Sequence, residues 1–153
     1  MQTDREAQRR LAPVAAATLI EEHPEVLESG TSARLRALAS ASRTFDKVAA
    51  AFEKIVAQSP LESVEAKAEL AALYGEWADN ELALSQDDDA LAHLKRSHEL
   101  KADLFAPMKQ LAELLAKRGD VPGAAQVVQN FLIASPVPAE KERAQRLLDR
   151  IGQ

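Results

Sequence analysis

Metal binding or proton transfer near neutral pH would fall first to the three histidines, His23, His93 and His98. His93 and His98 stand five positions apart. On a helix this turns them about 140° from each other, so they cannot close on one ion. His23 precedes Pro24 and reads as a helix-end residue. No Glu-x-x-His pair of the kind that builds a di-iron bundle occurs. The run Asp87, Asp88, Asp89 lacks the alternating ligands and distal glutamate of a calcium loop. Ahead of a helix such acids stabilise its positive end, and one of them is expected to cap it. Gly119-Asp120-Val121-Pro122-Gly123 has a phosphate loop's glycines without its Gly-Lys-Ser/Thr ending or preceding strand, and reads as an interhelical turn. Glu65, Glu69, Glu76 and Asp79 crowd one helix. Paired carboxylates can do acid–base work, but a solvated helix face has the same composition. No serine has a nucleophile-elbow context. With no cysteine, thiolate nucleophiles, thiolate metal sites and disulfides are ruled out. The expectation is a non-catalytic chain with no catalytic, cofactor-binding or metal-binding residue.

The elements carrying these residues are helical. Among 153 residues, 30 are alanine and only five are glycine, and no run alternates with the period of a strand. Apolar spacing predicts helices over about 4–22 (kinked or restarted at Pro13), 31–42, 44–58, 61–85, 88–105, 107–118, 121–134 and 139–151, with a short helical turn over 24–30. Phe45, Val48, Phe52, Ile55 and Val56 mark the third. Ser59-Pro60-Leu61-Glu62 is a capping-box start for the fourth. That helix shows a narrow stripe of Val64, Ala68, Ala71, Ala72, Ala78 and Leu82, adjoined by Trp77, which reads as a core anchor. Asp120 with Pro122 opens the seventh. The eighth sets Ala144, Leu147, Leu148 and Ile151 against a charged opposite face, as a capping helix requires.

The net charge of -5, with 19 Lys plus Arg against 24 Asp plus Glu, argues against a nucleic-acid binder. The apolar run 11–20 contains Pro13 and is too short to span a bilayer, so no membrane insertion is expected. The lack of cysteine and of a secretory leader points to the cytoplasm. A periplasmic protein or an excised piece of a longer chain fits the same features.

The most structured stretch is 106–136, two amphipathic patterns joined by a Gly-Asp turn and closed by proline. Ala124, Val128, Phe131 and Pro136 are spaced four, three and five apart. Val48, Phe52, Ile55 and Pro60 repeat that spacing, as do Ala90, Leu94, Ser97 and Ala102. Leu111, Ala112 and Leu115 precede the last set, and Trp77 and Ala78 precede the middle one. This pattern resembles the tetratricopeptide repeat family over about two thirds of the chain, most closely at 106–136. The departures are Arg36 at a small-residue place, Glu81 at an apolar place and Phe131 at a small-residue place. The resemblance implies an all-α chain. About three degenerate repeats (31–136) would stack as antiparallel helix pairs into a short right-handed solenoid, between an N-terminal helical segment (1–30) and a C-terminal capping helix (137–153), in one domain overall.

The resemblance also implies a function. The first helix of each pair would line a concave groove for a partner protein or peptide. That face comprises Ala72, Gly75, Asp79 and Leu82 in the middle pair, and Lys109, Glu113, Ala116 and Lys117 in the last. Of the family's carboxylate clamp only Lys109 matches. A self-assembling subunit, docking through Leu11, Val14, Leu19 and Ile20 on a second copy, is the alternative, as is a small chaperone or assembly factor of a larger complex.

Overall fold

The computed structural model describes residues 45–58 and 64–152. The predicted helices at 4–22 and 31–42, the N-terminal docking residues, Arg36, His23 and the capping box at 59–62 lie outside the described residues. Within them the protein is all-α. Six helices occur: α1 Phe45–Gln58, α2 Val64–Ala83, α3 Asp87–Leu100, α4 Phe105–Lys117, α5 Val121–Ala134 and α6 Pro138–Ile151. No strand occurs among the described residues. The chain divides into two compact units at the Trp77–Ala78 bond, inside α2.

In the first unit α1 buries Phe45, Val48, Ala49, Ala51, Phe52 and Val56. Four of the five positions marked by spacing are therefore core, and Ile55 is half-buried. The stripe expected on α2 is corrected. Ala71 and Ala78 of the stripe are buried, but Val64 is 72% exposed, Ala68, Ala72 and Leu82 are half-buried, and Ala66, Leu70 and Leu73 complete the buried face. In an alanine-rich helix several faces look equally apolar, and the two leucines decide because they remove far more surface from water. Trp77 is half-buried. Its ring stacks on Phe45 (5.9 Å between centroids, 9° between planes) and on Tyr74 (6.0 Å, 6°). The Tyr74 hydroxyl donates to Glu53 Oε1 at 3.0 Å.

The second unit is built around α4, which packs against α3, α5 and α6, while α5 also packs against α6. Ala90, Leu94 and Ser97 of α3 are wholly buried, as are Ala124, Val128 and Phe131 of α5. These are the first three of the four repeat positions read from spacing in each set; Ala102 is half-buried beyond α3, and Pro136 is exposed beyond α5. Leu111, Ala112 and Leu115 of α4 and Ala144 and Leu147 of α6 join the same core. Phe131, where a small residue was expected, is accommodated edge-on by Phe105 (5.7 Å, 72°). Ser97 is wholly buried at the last turn of α3, where its carbonyl accepts from the Lys101 amide at 3.0 Å.

The helix ends explain how the chain turns. At the end of α2, Gln86 N donates to Glu81 O (2.8 Å) and Ser85 N to Leu82 O (3.1 Å). At the end of α4, Asp120 N donates to Leu115 O (2.9 Å) and Gly119 N to Ala116 O (3.0 Å). Both are Schellman caps, which need a left-handed residue at the turn. Gly119 has φ +88, and Ser85 takes the same region with φ +60. The expected cap at Asp120 forms. Its Oδ1 accepts from Gly123 N at 3.0 Å, with Pro122 in the first turn. A Cβ at Gly123 would run into the Asp120 carboxylate, so a larger residue there would displace the cap. The expected aspartate cap on α3 is corrected. Gln86 holds the N-cap position without a side-chain bond, and the three aspartates fill the first turn. Helix α3 also stops at Leu100, not near 105, since Lys101 is extended and residues 102–103 form a turn.

Candidate binding face

The outer surface of α4 is a strip bordered by α6 on one side and by the end of α2 on the other. It lines three clefts in the second unit. One, of about 480 Å³, lies between α4 and α6 and is lined by Phe105, Lys109, Arg143, Arg146, Leu147 and Arg150. The second, about 440 Å³, continues along the same two helices past Glu113, Ala116, Lys117, Val121 and Ile151, sharing Leu147 and Arg150. The third, about 190 Å³, is lined by Leu82, Gln110, Glu113, Leu114 and Lys117.

The predicted groove residues separate accordingly. Lys109, Glu113, Ala116, Lys117 and Leu82 all line these clefts. Asp79 is exposed on α2 and accepts a hydrogen bond from Gln110 of α4. Ala72 and Gly75 lie in the first unit, where Ala72 is half-buried and Gly75 buried. They are not among the residues lining the three clefts.

Charge is arranged unevenly around this strip. Lys109 Nζ lies 3.9 Å from Glu113 Oε1, and Lys117 Nζ lies 4.0 Å from Asp87 Oδ2. Arg118 reaches Asp88 Oδ1 at 2.5 Å. Two of the three aspartates of α3 are thus drawn to cations at the end of α4. Arg143, Arg146 and Arg150 are exposed and form no ion pair or side-chain hydrogen bond among the described residues. Sequence reasoning treated them as the solvated face of a capping helix. Their three- and four-residue spacing put them on one side of α6 and was the available signal. Phe105 and Gln110 carried no such signal.

The two helical histidines point to different partners. His93 Nδ1 lies 2.5 Å from Glu81 Oε1, with side-chain exposures of 21% and 5%. Glu81 therefore occupies its apolar place with a partner supplied by the next helix. Asn130 Nδ2 lies 3.3 Å from His98 Nε2. Burial holds the His98 imidazole below its ordinary pKa, an effect partly opposed by Glu99. No cluster of three or more potential metal ligands is found among the described residues. No described helix is long and apolar enough to cross a membrane. No family model matches the chain, and neither does any curated protein or solved structure.

Proposed function

We propose that the chain is a non-catalytic interaction module of tetratricopeptide type, and that the α4 strip with its flanking clefts receives a partner protein. The observation that carries this reading is the gathering of Leu82, Lys109, Glu113, Ala116 and Lys117 along clefts that border one helix. They combine small, apolar and charged side chains, as a protein-binding groove does. Three features support the repeat assignment. The repeat positions of α3 and α5 coincide with wholly buried residues. The two Schellman turns, Ser85 and Gly119, stand 34 positions apart, the length of one tetratricopeptide unit. Helix α4 packs on α6 as well as on its sequence neighbours, as alternate helices do in a stack of helix pairs.

The test is capture of binding proteins by the purified chain, with Lys109→Glu/Lys117→Glu as comparison. Both lysines are well exposed and hold only distant, screened carboxylates, so the fold should tolerate their reversal. A protein retained by the native chain and lost by the variant is the expected result. Equal recovery on both would move the binding surface elsewhere.

A further inference from the structure

The three arginines of α6 share one side of the helix. Arg143, Arg146 and Arg150 fall within an arc of roughly 60°, beside Leu147, on the side that faces α4. Glu142 and Asp149 stand one turn before and after Arg146, about 40° and 60° round the helix from it, and neither pairs with it; Asp149 accepts from Gln145 at 3.1 Å. The chain carries 24 acidic side chains, yet none of the described ones neutralises these arginines. Glu113, which borders the adjoining cleft with Arg150, is paired with Lys109. Three guanidinium groups are thus left along about 10 Å of helix, with Lys109 across the cleft and an apolar floor of Phe105 and Leu147.

We propose that this cleft takes an acidic, partly apolar segment of a partner protein. The segment's carboxylates would lie against Arg143, Arg146 and Arg150, and an apolar side chain would rest on Phe105 and Leu147. The inference deepens the interaction-module reading and rests on it. Guanidinium forks match carboxylates in a bidentate geometry that lysine cannot reproduce. The apolar floor calls for a side chain that a free phosphate lacks. A nucleic-acid strand would meet a chain of net charge -5.

The test uses the full chain and a fluorescein-labelled peptide bearing glutamates at i, i+3 and i+7 with leucines between. The comparison peptide has glutamine for each glutamate. Binding is read by anisotropy for the native chain, Arg146→Glu, the milder Arg146→Gln, and the charge-matched control Lys95→Glu on α3. Circular dichroism confirms that each variant is folded. The expected result is binding of the glutamate peptide that weakens with added salt and is about tenfold stronger than that of the glutamine peptide. Both Arg146 variants should weaken it by about tenfold, and Lys95→Glu should leave it unchanged. Equal binding of the two peptides overturns the proposal, as does unchanged binding by both Arg146 variants or no binding at all. Displacement of the peptide by orthophosphate at matched ionic strength, or tighter binding of a single-stranded oligonucleotide, overturns it in favour of a simple anion or nucleic-acid site. Partner capture that depends on Lys109 and Lys117 but survives Arg146→Glu would keep the interaction module and remove only the acidic segment.

Discussion

The Glu81–His93 pair permits a test in which the order of two losses matters more than their size. The carboxylate is 5% exposed and the imidazole 21%, at 2.5 Å. Truncating Glu81 to alanine leaves a histidine that water can already reach, so the cost is the lost charge-assisted bond and some packing, about 1.5–3 kcal/mol. Truncating His93 to alanine leaves a carboxylate shut away from water, and stranding a buried charge costs about 3–5 kcal/mol. Histidine should therefore be the more damaging partner to remove, although it is the more exposed. A third variant separates polarity from volume. Leu115, whose carbonyl closes the same turn at the end of α4, is 6% exposed. Glu81→Leu should then recover about 2 kcal/mol relative to Glu81→Ala by burying a full apolar side chain. Urea unfolding at neutral pH, followed by far-UV circular dichroism, measures all three, and an unchanged dependence on denaturant concentration licenses the comparison. Equal losses for Glu81→Ala and His93→Ala, or the reverse order, would refute the argument from burial.

Further outcomes follow from the two turns and from His98. Ser85 bears the left-handed conformation that Gly119 adopts without strain, so Ser85→Gly should raise stability by about 0.5–1 kcal/mol. Gly119→Ala should lower it by about 1 kcal/mol, and the same urea titration reads both. For His98, whose pKa is lowered from 6.5 mainly by burial, the unfolded chain binds the proton more readily than the folded one. Stability should fall as pH drops from 6.5 towards the lowered folded value and level off below it, and His98→Gln should flatten that part of the pH profile.

What was legible in the sequence is what periodicity and capping chemistry dictate. The helices from α1 to α6 could be read because apolar side chains recur at three and four residues, and because Asp120 with Pro122 is an unambiguous start. The buried faces of α3, α5 and α6 followed from the same spacing. The face of α2 followed only at Ala71 and Ala78, since alanine at many positions makes the helical wheel nearly uniform. The partnership of Glu81 with His93 was hidden because it depends on which turn of α3 packs beside α2, and no local pattern encodes that. Of the expected binding face, Leu82 and the four residues of α4 line clefts. Arg143, Arg146 and Arg150 were overlooked because a charged helical face reads as solvent-facing until a neighbouring helix turns it into a wall.

The matched turns at Ser85 and Gly119 have a consequence for how such a chain can grow. Backbone geometry and hydrogen-bond pattern are alike at both, although only Asp120 caps its helix with a side chain, so the segment 86–119 is delivered and released by the same backbone joint. A second copy inserted after Gly119 would meet at each end a junction the chain already makes. On the proposed repeat reading, length is thus a matter of duplication, with no need to invent a new corner each time.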